Sequence, residues 1–387
     1  MIRVTTARIN LEALRSNFLA IQQFLAGEPG RTRLPGIIAV VKANAYGHGA
    51  GPVALALEGA GATMLACADI EEGIALRRAG VEVPILVFGA LSVSALEGLF
   101  EFGLTPTIST PSAARAVQAA AVRARRTIGY HLKIDTGMNR LGFRHDNLRR
   151  TLPELFASPN LKPTGIYTHF ATADDAASEM FTEQRVRFER SLADIAGLGV
   201  EASAGCVRHA ANSAALLRDS RVWYDVVRPG LLLYGIVPPP LASTIALQAV
   251  MSLASRVVAV KGLRPGEGVG YGLRYRADTP ATIAVIPAGY ADGIDTRLGG
   301  RGSVLIRGRR VPVVGSVCMD MMMADVTGLE VAPGDEVVII GQQGDETWQR
   351  IDAREMAAAI GTIPWEVVCR VGTRIERQYT PTGHGGT

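Results

Sequence analysis

Lys42 stands directly behind an apolar run in AVVKANAYGHG, residues 39–49, and is followed by Ala, Asn, Tyr, Gly, His and Gly. An amine in that setting is poised for Schiff-base chemistry if burial and nearby cations lower its pKa and expose the nitrogen lone pair. The bland alternative is a rim lysine whose stem packs while its head reaches water. Other residues of chemical character recur behind similar apolar runs. Lys133 and Asp135 precede Arg140 in LKIDTGMNRLGF, His169 lies in YTHFATAD, Asn212 and Ser213 in HAANSAA, and Arg228 and Gly230 in VRPGLLLYG.

The elements that position them follow from the hydrophobic pattern. Eight short apolar, β-branched runs alternate with segments of helical periodicity: 36–41, 63–68, 83–88, 104–109, 130–135, 165–170, 202–210 and 224–229. Their nearly continuous hydrophobicity is that of parallel strands buried on both faces. Eight such units predict a closed (β/α)8 barrel of the TIM type, and no G-x-G-x-x-G follows the first run, as an open dinucleotide fold would want. In a barrel the reactive groups gather at the C-terminal strand ends, where loops after the seventh and eighth strands commonly hold a phosphate. Lys42, Lys133, Arg140, His169, Asn212, Ser213, Arg228 and Gly230 should therefore share one mouth. An amine-reactive lysine beside a phosphate cradle describes a site for pyridoxal 5'-phosphate (PLP).

Around residue 237 the pattern changes. VPPPLAS reads as a linker, and beyond it LQAVMSLASRVVAVKG, TIAVIPAGY, GSVLIRG, RRVPVVGSVCMD, DEVVIIG and VVCRVGTRIER have strand character, with IDAREMAAAIG the one helix-like piece. The expected organisation is a barrel domain over 1–240, a mostly β domain over 241–378 that the first residues are free to join, and a disordered tail over 379–387.

Composition narrows the function classes. The net charge is +4, but the basic residues are dispersed without an aromatic-interleaved stripe, which argues against nucleic-acid binding. No stretch has the length of a membrane helix and no leader precedes the first element, so a cytoplasmic protein is expected. Cys67, Cys206, Cys318 and Cys369 form no C-x-x-C pair and read as reduced thiols, and the six histidines lack metal-site spacing.

VVKANAYGHG, LKIDTGMNRLGF, YTHFATAD, HAANSAA, VRPGLLLYG, GVGYG, PAGYADG and SVCMD occur in this order, and together they resemble the alanine racemases, PLP enzymes of fold type III. The resemblance runs from Lys42 to about Trp365. It implies that Lys42 holds PLP and also serves as one of two catalytic bases. Tyr46, Asn212, Ser213, Gly230, Leu231 and Tyr234 would bind the cofactor phosphate, and Arg140 would steer the substrate carboxylate. Tyr271 would be the second base, supplied by the other subunit of a homodimer whose sites are shared. Tyr290 and Met319, with Cys318 and Asp320 beside them, would line the substrate pocket from that same subunit.

Arg228 would face the pyridine nitrogen. An arginine gives up no proton there, so the ring nitrogen stays neutral and side reactions are limited. His169 and Arg228 would orient and tune Tyr271, and Lys133 would carry a carbamate that turns a cation into an anion beside Arg140. The implied activity is interconversion of L-alanine and D-alanine, the latter for peptidoglycan. Two positions depart from the family pattern. Trp365 replaces a tyrosine that touches the phosphate, and Ser316 replaces an arginine in the substrate corridor. Trp365 keeps open a racemase of another small amino acid such as serine. A non-catalytic PLP-binding barrel is the reading from another class, and the β-rich second domain argues against it.

Overall fold

The computed structural model describes residues 4–30, 32–89, 91, 96–198, 205–344 and 349–380. The chain opens with β1 (Thr6–Asn10) and the helix Leu11–Ala26, which starts where the Asn10 side chain accepts the Ala13 N–H at 2.9 Å. Then come β2 (Gly36–Val40), β3 (Met64–Cys67), β4 (Ile85–Val87), β5 (Thr105–Ile108), β6 (Ile128–Asp135), β7 (Phe143–Arg144), β8 (Leu161–Tyr167), β9 (Val207–His209) and β10 (Val226–Val227).

Eight of these pair in parallel in the order β10-β2-β3-β4-β5-β6-β8-β9, with β7 added to β6. The two ends meet in a single parallel bridge, Asn212 to Arg228, where Arg228 N donates to Ala211 O at 2.8 Å. Two of the expected site residues therefore form the seam of the barrel. All eight expected strand runs overlap one of these strands, β8 starting four residues earlier and ending three earlier than its run, and residues 202–204 of the seventh run lie outside the described residues. Crossover helices begin at side-chain caps: Asp69 for Ile70–Arg78 and Thr110, with Pro111 following it, for Pro111–Ala124.

The second unit is a ten-stranded sheet whose main path runs 259–263, 281–286, 322–325, 309–314, 303–306, 336–343, 251–256, β1, 376–380. β1 thus leaves the barrel sequence and lies antiparallel to Met251–Arg256 and parallel to Glu376–Thr380. The apolar stretch LQAVMSLASRVVAVKG forms two strands, because the chain changes partner at Val257–Val258: Met251–Arg256 pairs with Glu336–Gln343, and Ala259–Leu263 with Ala281–Ile286.

Two expectations need correction. The start of VVCRVGTRIER is helix, Pro364–Cys369, with proline in its first turn, and the strand begins only at Glu376. Tyr379 and Thr380, expected in a disordered tail, are paired with Ile9 and Asn10. A polar edge strand is stabilised there by a partner far away in sequence, and residues 381–387 lie outside the described residues.

Candidate active site

Lys42 leaves β2 through an unusual turn. Ala43, Asn44, Ala45 and Tyr46 all have φ between 51° and 53°, a left-handed helical turn built from four residues other than glycine. Such a turn costs about 1–2 kcal/mol per residue and persists only where the surroundings fix it. Ala45 N donates to Val41 O at 2.8 Å and Gly47 N to Ala43 O at 3.0 Å. The Asn44 side chain accepts Ala50 N–H at 2.7 Å. His48 Nδ1 lies 3.0 Å from Ala45 O and 2.9 Å from Tyr46 O. Arg377, from the C-terminal strand, donates to Gly47 O at 3.1 Å, and a Cβ at Gly47 would stand 2.2 Å from Val368 O. The second domain therefore packs directly on the turn that aims the lysine.

The turn opens into a cavity of about 440 Å³. Lys42, Tyr46, Lys133, Arg140 and His169 line it, together with Asn212, Ser213, Arg228, Gly230, Leu231 and Trp365. These residues come from five strand ends and the Pro364–Cys369 helix. The Asn212 side chain caps its own helix by accepting Ala215 N–H at 2.9 Å, while Ser213 Oγ accepts Gly230 N–H at 3.0 Å. A Cβ at Gly230 would stand 2.6 Å from Tyr46 Oη, so only glycine leaves the phenol its place. A helix start, the Ser213 hydroxyl and a phenol meet here, groups suited to an anion.

The electrostatics are cationic. Burial lowers the Lys42 pKa, and Arg140 lowers it further. Lys133, 5% exposed, is pushed down to about 8 by burial, then by Arg140, Arg228 and Lys42, with Asp135 opposing. The Asp135 carboxylate is spent on the next turn, accepting Gly137 N–H at 3.0 Å and Asn139 N–H at 3.1 Å. Burial, with Arg228 adding to it, holds the His169 pKa well below the ordinary value, so that ring is neutral.

Arg228 is buried, and its pKa falls to about 10 through desolvation, which leaves it fully charged at neutral pH. Its described partners are carbonyls and imidazoles. Nη2 donates to Thr168 O at 2.8 Å and Ala210 O at 2.9 Å, and Nη1 donates to His209 Nδ1 at 2.7 Å. His209 must then carry its proton on Nε2, which lies 2.9 Å from His131 Nδ1, so donation runs from Arg228 through His209 to His131. Tyr167 stacks on His209 at 4.7 Å, and its ring lies 5.2 Å from the Arg228 guanidinium carbon and 5.7 Å from Lys133 Nζ.

Not every expected residue joins this cavity. Tyr234 lies behind it, 1% exposed, with its hydroxyl donating to Val40 O at 3.0 Å and its ring 5.1 Å from that of Tyr46. It supports Tyr46 rather than lining the wall. Tyr271, Tyr290, Cys318, Met319 and Asp320 line a separate shallow groove on the β domain. Tyr271 is 77% exposed there, in a short turn whose carbonyl accepts the Ser316 hydroxyl at 2.8 Å. Asp320 is paired with Arg374 at 2.7 Å.

Sequence reasoning missed Tyr167, His209 and Glu72. Tyr167 and His209 stand at aligned register positions with Lys133 across β6, β8 and β9, a relation visible only once strands are paired. Glu72 lies on a helix, and no local signal links it to Lys42.

A parallel barrel with a desolvated lysine among arginines at its mouth, joined to a β-rich domain, defines a lysine-dependent barrel enzyme. Models of the alanine racemase N-terminal and C-terminal domains match residues 9–238 and 250–379. The chain belongs to the alanine racemase family, isomerases that interconvert L- and D-alanine. It is 41% identical to an alanine racemase of Carboxydothermus hydrogenoformans, over 97% of this chain and 100% of that one. It is also 41% identical to one of Symbiobacterium thermophilum, over 97% of each. Among solved structures, alanine racemase from D-cycloserine-producing Streptomyces lavendulae aligns with TM-score 0.90 and 34% identity, covering 99% of this chain and 98% of that chain. The Bacillus anthracis enzyme with bound L-Ala-P aligns with TM-score 0.89 and 35% identity, covering 99% and 96%.

Proposed function

We propose that this protein interconverts L-alanine and D-alanine with PLP as cofactor, acting in the cytoplasm as a homodimer whose D-alanine serves peptidoglycan. The observation that carries this reading is the single cavity in which the Lys42 amine, lowered in pKa, faces Arg140, Lys133 and Arg228 beside an anion cradle. The residues present fit PLP. Tyr46, Ser213, Gly230, Leu231 and the helix start at Asn212 would hold its phosphate, Lys42 would bond to it, and Arg228 would face its ring nitrogen. When bound, PLP supplies a conjugated electron-withdrawing group that acidifies the Cα–H of an amino acid joined to it.

The chain's own residues do the rest. Arg140 holds the substrate carboxylate. Lys42 Nζ takes or returns the proton on one face of Cα, and the phenol oxygen of Tyr271 from the other subunit does so on the opposite face. Arg228 keeps its protons, fixed by His209 and two carbonyls, and so leaves a ring nitrogen unprotonated. Tyr290, Met319, Cys318 and Asp320 would close the pocket from the partner, which accounts for their lying on an exposed groove far from any use within one chain. Lys133, driven toward its neutral form, is suited to react with carbon dioxide, giving a carbamate anion and a released proton.

Trp365 on the cavity wall favours one second reading, a preference for serine or another small amino acid. A chiral assay of purified protein with PLP against a panel of L-amino acids separates the two. Alanine should be racemised at least about tenfold faster than serine, the discrimination that one added hydroxyl commonly allows. Faster turnover of serine, or of no amino acid, overturns the proposal.

A further inference from the structure

Glu72 lies in the first turn of the Ile70–Arg78 helix, and the chemistry above does not use it. Asp69-Ile70-Glu71-Glu72 is a capping-box sequence, in which the glutamate ordinarily folds back onto the N-cap N–H. Half of that box forms, with Asp69 Oδ1 accepting Glu72 N–H at 2.8 Å. The Glu72 carboxylate instead bridges two other elements. Its Oε2 accepts Ala68 N–H at 2.7 Å, just beyond β3, and its Oε1 accepts Ala43 N–H at 2.7 Å, immediately after Lys42.

Ala43 is the first of the four left-handed residues. Ala45 and Gly47 find carbonyl partners within the turn itself, whereas Ala43 N–H is satisfied from outside it, by Glu72. We propose that Glu72 is a positioning residue for Lys42, its carboxylate clamping the left-handed Lys42–Tyr46 turn to the end of β3 so that the amine keeps one direction into the cavity. The proposal rests on Lys42 being the cofactor-bearing lysine. Charge supports it: Arg140, Lys133 and His169 face Lys42 from β6 and the loops after β6 and β8, Cys369 faces it from the Pro364–Cys369 helix, and the Glu72 carboxylate is an anion in that company that favours the ammonium form.

Glu72→Gln keeps the side chain's reach but replaces one acceptor by a donor, so Ala43 N–H and Ala68 N–H cannot both be satisfied. Amide hydrogen exchange at Ala43 and Ala68 should accelerate at least about tenfold, with and without PLP, while the other barrel strands keep their protection. In the PLP-loaded enzyme kcat should fall at least about tenfold with KM for alanine within about twofold, because Arg140 is untouched. The pH midpoint of the bound cofactor's visible absorbance should move down, since a neighbouring anion is lost. Glu72→Asp keeps the charge but is too short to span both amides, so its kcat should fall as well while its midpoint stays near that of the parent. Parental exchange, kcat and midpoint in Glu72→Gln overturn the proposal, and so does a lowered Tm with kcat and midpoint unchanged. Racemisation by Lys42→Ala would refute the lysine assignment instead, and the exchange measurement still judges the clamp.

Discussion

The barrel mouth and the β-domain groove carry the two proposed bases under opposite conditions. Lys42 is half-buried in a cavity walled by cations, at the end of a strand and held by a turn that Ala50, Glu72 and Arg377 brace through hydrogen bonds. Tyr271 is 77% exposed on a short turn, with one side-chain hydrogen bond to its carbonyl from Ser316. The first environment changes the proton affinity of its amine. The second lets its phenol project into water, beside Tyr290 and Met319, themselves 46% and 53% exposed. A base is useful only when desolvated and aimed. The barrel base is prepared within one chain, and the groove base needs a covering surface, which a second copy of the chain would supply.

The largest effect that tests this contrast is Lys42→Ala. It should abolish both racemisation and the visible absorbance of lysine-bound cofactor, because Lys133 is the other amine on the wall and lies on a different strand. Retention of either signal would move the cofactor linkage away from this strand end.

Tyr271→Phe should be less severe and one-sided. General-base catalysis contributes roughly 10²–10⁴-fold, so inversion falls by that order while Lys42 still serves its own face. In deuterated water, D-alanine should continue to exchange its Cα proton without inverting, and L-alanine should not. Equal exchange of both enantiomers would break the two-base scheme. Mixing Lys42→Ala chains with Tyr271→Phe chains extends the test to the subunit boundary. If the bases come from different chains, random pairing should restore about a quarter of the sites, since half the dimers are mixed and one of their two sites is intact. Mixtures that exchange subunits yet remain inactive would place Tyr271 in the same chain as its Lys42.

The same two regions show what a sequence reveals. The barrel strands were legible because burial on both faces writes one continuous apolar word per strand, as in GIIAVV and VPILVF. The residues after those words, from Lys42 to Gly230, could be assigned to one mouth on fold geometry alone. The β domain was less legible, because local pattern does not name a strand's partner. One apolar stretch split at Val257–Val258, and Tyr379–Thr380 read as tail because its partner is β1, at the other end of the chain. VVC before Arg370 was ambiguous between helix and strand, as short apolar runs are, although Pro364 marked a helix start. Lateral relations such as Glu72 with Ala43 or Arg228 with His209 leave no trace in spacing, since each joins separate elements.

Lys133 offers a third test, confined to the barrel mouth. Its pKa is about 8 in the folded state against an ordinary 10.5. Below pH 8 both states hold the proton and the cost of burying the charge is felt in full. Between about pH 8 and 10.5 the unfolded chain binds more protons than the folded one, so this residue makes stability rise with pH, by roughly 3 kcal/mol in all. In carbon dioxide-free buffer without cofactor, Lys133→Met should remove that rise from a denaturant-derived stability profile. Identical profiles would mean that Lys133 reaches solvent more freely than its burial indicates. Degassing should lower activity if the carbamate forms, and small carboxylates should partly rescue Lys133→Ala.

The smallest expected effect concerns Trp365, which the Pro364–Cys369 helix places half-buried on the cavity wall with no hydrogen bond from its indole among the described residues. Indole offers a single N–H donor and no acceptor on a rigid frame, so it serves a phosphate only if its edge points there. A phenol at the same position offers a hydroxyl at its tip. A net hydrogen bond to a charged group is worth roughly 1.5–3 kcal/mol, so Trp365→Tyr should tighten PLP binding by about tenfold or more, each 1.4 kcal/mol being a factor of ten. Trp365→Phe has no polar atom and should leave PLP affinity nearly unchanged, because the indole it replaces contributes shape and apolar area rather than a donor. Equilibrium dialysis of the cofactor against both variants decides between the two roles. Loss of affinity in the Phe variant with no gain in the Tyr variant would show that the indole already donates to the phosphate, and the barrel mouth would then be complete without a phenol at this position.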